Sequence, residues 1–97
     1  MFRHIVLVTF RPGTTAEQRQ AFRETIEALP RDFPGIRSLA CGDNVGKGPT
    51  HLDFASVMDF DDEANFRAYL ASPAHQAYVE NFGRPMVERL AVVQHLL

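Results

Sequence analysis

From Phe2 to Phe10 the chain is dominated by β-branched and aromatic residues, and Pro12-Gly13 interrupts it, which predicts a first strand followed by a turn. Phe22, Ile26 and Leu29 then recur at i, i+4 and i+7 with Arg and Glu between them, the period of an amphipathic helix. Thr14 and Thr15 precede Glu17 and Gln18 at capping-box spacing and set its start; Pro30 is expected to end it. After the turn signal Phe33-Pro34-Gly35 comes a weaker strand, Ile36 to Val45. The loop Gly46-Lys47-Gly48-Pro49 returns the chain as a strong strand from His51 to Phe60, so the two strands read as a hairpin.

Asp61-Asp62-Glu63 is an acidic helix start, with Phe66, Tyr69 and Leu70 on the inner side. Ser72-Pro73 stops this helix and begins another, Ser as N-cap and Pro at the first helical position. The new helix carries His75, Tyr78, Val79 and Phe82 at i, i+3, i+4 and i+7 and is expected to stop near Gly83. Leu90 to Leu97 is read as the last strand.

The order β-α-β-β-α-β belongs to the α+β class and is met economically by a ferredoxin-like fold, an antiparallel four-stranded sheet with its helices on one face. A sheet covered on one side should alternate apolar and polar residues. Strand one does not: Phe2, Val6, Val8 and Phe10 point one way while Ile5 and Leu7 point the other. In the last strand Leu90, Val92 and Leu96 oppose Ala91, Val93 and Leu97. Helices cover only one of these faces, so the other is expected to be a partner surface, and a homodimer packed sheet against sheet follows.

A chain of 97 residues, 45% hydrophobic, supports one domain spanning 1–97. Folding at this size removes about two-thirds of the extended chain's surface from water, enough for a modest core and not for two. Ten Lys+Arg against twelve Asp+Glu give a net charge of −2, without the basic stripe that a nucleic-acid partner requires. No apolar run approaches the ~20 residues of a membrane span, and the short N-terminal stretch lacks a cleavage site, so neither membrane insertion nor a signal peptide is expected. The single cysteine, Cys41, excludes an intrachain disulfide framework, suits a reducing compartment such as the cytoplasm, and is read as a buried thiol.

Most motif-based chemistries are absent. In Gly42-Asp43-Asn44-Val45-Gly46-Lys47-Gly48 only three residues separate the first two relevant glycines, and Gly48 replaces the magnesium-binding Ser or Thr of a phosphate loop. No metal-ligand spacing or nucleotide fingerprint occurs, so neither metal nor organic cofactor is expected. The carboxylates Asp61, Asp62 and Glu63 are explained by a helix N-terminus, and the neighbouring Asp59 by itself makes no cation site. Four histidines remain: His4, His51, His75 and His95. His75 stands at the third position of its helix on the stripe that faces the core. Burial and the positive helix end both disfavour an imidazolium there, leaving a neutral ring able to accept a proton. His4 and Tyr69 fall on inner faces and are placed to share one apolar pocket with it.

His4-Ile5-Val6, the Gly42-Asp43-Asn44 turn, Thr50-His51 and above all Tyr69-Leu70-Ala71-Ser72-Pro73-Ala74-His75 resemble the stress-responsive dimeric α/β-barrel (Dabb) family along nearly the whole chain. The resemblance implies a homodimer whose two sheets close into a barrel. A plant cyclase of that family, which forms olivetolic acid, closes a linear poly-β-keto thioester by an intramolecular aldol reaction without a cofactor. By resemblance His75 takes the place of its base and Tyr69 that of the base's partner, while His4 and His51 match pocket histidines. Phe22 and Ile26, on the first helix, are carried as further substrate-binding positions. This chain has no Trp, and its pocket wall departs from that of the plant enzyme, so the substrate does not transfer.

Two functional classes follow. One is a cofactor-independent cyclase or aldol-type lyase acting on a small apolar carbonyl compound, with His75 as base. The other is a non-catalytic, stress-associated binding or structural dimer module in which the same histidines are satisfied core groups. A cofactor-free monooxygenase has no oxygen-activating group here to carry it.

Overall fold

The sheet is organised around β1 (Phe2–Phe10), which the computed structural model of residues 1–97 places between β3 (Phe54–Phe60) and β4 (Val87–Leu96), with β2 (Ser38–Asp43) beyond β3. Every neighbouring pair is antiparallel, and the order β2-β3-β1-β4 is that of a ferredoxin-like fold. The helical layer comprises α1 (Ala16–Asp32), α2 (Glu63–Leu70), α3 (Pro73–Tyr78), a π-helical turn (Val79–Gly83) and the short α4 (Arg84–Met86).

Thr15 opens α1 with a full capping box: its hydroxyl accepts the Gln18 N–H at 3.1 Å, and its own N–H donates to Gln18 Oε1 at 2.9 Å. The helix buries Phe22, Ile26 and Leu29, as their spacing requires. Pro30 does not end it. In the last turn a proline forfeits only its own backbone bond, and the Phe33 N–H, donating to the Leu29 carbonyl at 2.8 Å, closes the helix after Asp32. Phe22 meets Phe10 and Phe54 edge to face at centroid distances of 5.0 and 5.3 Å, the centre of the core.

The two faces of the sheet differ as the β1 pattern requires. His4, Val8 and Phe10 are buried on the helix side, where the His4 ring lies 4.8 Å from that of Phe66 in α2. On the opposite face Ile5 is flanked by Val57 and Val93, and Leu7 by Ala55 and Ala91, an apolar band across the sheet. The band ends at a polar row: Arg3 grips both oxygens of the buried Asp59 at 2.8 Å, and Ser38 donates to the same carboxylate at 3.0 Å.

Some boundaries shift. β4 begins at Val87, three residues before the apolar run, because Phe10 pairs with Val87 across an irregularity in the ladder. β2 stops at Asp43 and β3 starts at Phe54, so their connection is a longer loop than a tight hairpin. The helix of His75 does not stop at Gly83; it widens into the π-turn and continues through Met86. Cys41, in the edge strand, is half-buried rather than buried, although the burial it has raises its thiol pKa. No helix is long and apolar enough to cross a membrane.

Candidate functional site

Between the sheet and the α2 to α4 segment lies a cavity of about 650 Å³. The floor comes from β1 and β4 through His4, Val6, Val8, Leu90, Val92 and Gln94; Tyr69, His75, Tyr78 and Val79 form the wall. It is mainly apolar, with a few polar groups converging on it, the usual composition of a small-molecule site.

Ser72 positions His75. Its hydroxyl accepts the His75 N–H at 3.2 Å as N-cap, and Pro73 occupies the first helical position, so the ring leaves α3 toward the cavity at a fixed angle. His75 Nδ1 lies 3.0 Å from the Leu70 carbonyl oxygen. A carbonyl only accepts, so Nδ1 carries the proton and Nε2 presents a lone pair. Partial burial lowers the pKa of His75, against the opposing pull of that carbonyl.

The Tyr69 ring packs edge-on against that of His75, centroids 4.9 Å apart. Tyr69 is only 2% exposed, and burial pushes its phenol well above the ordinary value, so it stays a proton donor. No fully buried side-chain polar atom lacks a partner in this protein. The Tyr69 and Tyr78 hydroxyls bond to no group of the chain, and both residues line the cavity, where a ligand can reach them. Tyr78 is pushed up to about 12 by the same desolvation.

His4 faces the same space from β1. The Gln94 amide nitrogen lies 2.9 Å from His4 Nδ1. The amide donates, so the His4 proton sits on Nε2. Desolvation, with a smaller contribution from His75, lowers its pKa to about 4, and the ring is neutral at pH 7. Two neutral imidazoles of opposite character thus share one cavity, an acceptor at His75 and a donor at His4.

Of the residues singled out from sequence, His4, Tyr69, His75 and Ile26 line this cavity. Phe22 does not: it is fully buried behind the wall, its ring 5.7 Å from that of Tyr78, because the strand rings it packs against leave it no open side. Nor does His51, which lies in the loop before β3 with Nδ1 accepting the Gly48 N–H at 2.9 Å, a local turn contact. Gln94, Arg11, Arg84 and Glu88 also line the cavity and were not singled out. Gln94 could be found only through the strand register, since it stands opposite His4. No group of three or more His, Cys, Asp or Glu side chains is arranged to hold a metal ion.

The model of the Stress Responsive A/B Barrel Domain matches residues 2–95. The chain belongs to the stress-responsive A/B barrel domain family. An uncharacterized protein of Streptomyces coelicolor is 32% identical over 81 residues, 81% of this chain and 84% of its own length. A dimeric ferredoxin-like protein of unknown function from Thermobifida fusca superposes with a TM-score of 0.88 at 32% identity, covering 99% of this chain and 90% of that one. The hydroxynitrile lyase of Passiflora edulis shares the fold at a TM-score of 0.89 and 19% identity, over 99% of this stress-responsive barrel domain and 92% of the lyase chain.

Proposed function

We propose that this A/B barrel domain binds a small, largely apolar carbonyl compound in the cavity and promotes cofactor-free general-base chemistry on it, as a cyclase or aldol-type lyase. The observation that carries the reading is the His75 ring: Nδ1–H is held by the Leu70 carbonyl at 3.0 Å, and the free Nε2 lone pair belongs to a residue lining an apolar cavity beside the Tyr69 phenol. His75 Nε2 takes a proton from the carbon α to a carbonyl. The Tyr69 O–H donates to the enolate oxygen that forms, and His4 Nε2–H offers a second neutral donor. The enolate carbon attacks a second carbonyl of the same chain, and the imidazolium returns its proton to the new alkoxide. The sequence is redox-neutral, and run backwards it is an aldol cleavage.

The hydroxynitrile lyase of Passiflora places a lyase activity on this fold in another protein; the assignment here rests on His75, since a fold does not fix a function. The domain acts as a homodimer through the apolar sheet face, as its Thermobifida relative is dimeric, and its single half-buried thiol suits the cytoplasm. The test is ring closure of a linear 3,5,7-trioxo acyl thioester, in which C2 attacks the C7 carbonyl to form a six-membered ring, followed by absorbance of the conjugated product. Acceleration above buffer that His75→Ala removes is expected. No acceleration of closure or of the reverse cleavage would leave the binding-module reading in its place.

A further inference from the structure

The cavity has a second polar end that the proton chemistry does not use. Arg11, one residue beyond β1, and Arg84, opening α4, both line it, and Glu88 is the only carboxylate that does. The Arg11 backbone N–H donates to the Met86 carbonyl at 2.8 Å, and its Nη2 donates to the Arg84 carbonyl at 3.2 Å, so the guanidinium is tied to the α4 segment at the rim. Both contacts are to neutral carbonyls. Arg84 has a carboxylate, Glu80, at 3.3 Å, whereas Arg11 forms no ion pair. A guanidinium has five N–H donors in a fork that fits a carboxylate, and one is used here.

Arg11 stands seven positions along the chain from His4. At about 3.3 Å per strand residue, the two backbone positions are separated by up to roughly 23 Å, with Val6 and Val8 forming the apolar floor between them. Side chains reaching inward from both ends shorten that span to a medium-length acyl chain. From this arrangement, and resting on the carbonyl-site reading above, we infer that the ligand is an amphipathic carboxylate: a medium-length chain with its anionic head on Arg11 and its reactive carbonyl at the far end beside His75 and Tyr69.

The experiment is calorimetric titration of the full chain with decanoate and with decan-1-ol, which share a tail and differ in the head group, using wild type and Arg11→Met. Wild type is expected to bind decanoate about tenfold or more tightly than the alcohol, the size of one charge-assisted pair. Arg11→Met should remove that preference and leave the affinity for decan-1-ol unchanged, which also reports that the variant is folded. Equal affinities on wild type, or a preference that survives Arg11→Met, would overturn the carboxylate assignment while leaving the apolar carbonyl site standing. Binding of neither compound would also overturn the carboxylate assignment, the carbonyl-site reading being decided separately by the ring-closure test.

Discussion

His75 is held by Leu70, five residues before it, through an Nδ1–H···O=C bond of 3.0 Å that crosses the break between α2 and α3. The helix is interrupted there because Ser72 caps a new segment and Pro73 has no N–H to continue the old one, and the bond uses a carbonyl that the interruption leaves open. Leu70 is the last residue of α2, its carbonyl is free of an intrahelical partner, and the imidazole supplies one. It also fixes the tautomer. In ¹⁵N NMR spectra at pH 7, Nδ1 of His75 should appear protonated and Nε2 as an unprotonated ring nitrogen; the opposite pattern would remove the base from the cavity.

The histidines make stability depend on pH in a narrow window. The ordinary histidine value of 6.5 holds for the unfolded chain, while His4 in the folded protein titrates at about 4 because it is desolvated and faces His75. Between those values the unfolded chain binds more protons, so stability falls as pH drops from 6.5 toward 4 and is fully restored above 6.5. His75, also lowered, acts in the same direction. The ion-paired carboxylates Asp59 and Asp61 are lowered from 3.8 and contribute their loss at more acid pH. Thermal unfolding at pH 7 and pH 5 should show a lower Tm at pH 5 in wild type, with most of the difference abolished in His4→Gln.

The band of Ile5, Leu7, Val57 and Val93 is the natural cover for a second copy of the sheet, and Val93 is 55% exposed without one. A stable interface there should bury at least ~1,000 Å². Val93→Glu puts an unpaired charge into that surface, so light scattering should report a dimer for wild type and a folded monomer of half the mass for the variant. A wild-type monomer at micromolar concentration would contradict sheet-to-sheet assembly.

Local signals in the sequence carried the fold far. Thr15 with Gln18, and Ser72 with Pro73, form the caps their spacing implies, and the two-sided apolar pattern of β1 corresponds to one buried and one open face. The misplaced boundaries have two causes: long-range pairing that overrides local composition, and a breaker whose effect depends on where in the element it falls. Val87 joins β4 because Phe10 stands opposite it, and Pro30 is tolerated because the helix is nearly complete when it is reached. His51 looked like a strand residue by its position near Leu52 and Phe54, yet its ring is taken by the Gly48 N–H. Within the cavity, the helical stripe marked Tyr69, His75 and Tyr78, whereas Gln94 and Arg84 come from the far end of the chain and have no local pattern.

The base assignment is tested most directly by deuterium incorporation at the α-carbons of decan-2-one in D₂O at pH 7, followed by NMR, for wild type, Tyr69→Phe and His75→Ala. This ketone cannot cyclise, so the measurement isolates the first proton transfer. Wild type should exchange the α-protons faster than buffer. His75→Ala should lose about 10²- to 10⁴-fold, the usual contribution of a general base, with Tyr69→Phe in between. Both variants should unfold close to wild type, because the Tyr69 hydroxyl bonds to nothing in the chain and losing the His75 bond costs about 1 kcal/mol. Exchange in wild type no faster than in buffer, or exchange untouched in His75→Ala, would contradict a general base at His75.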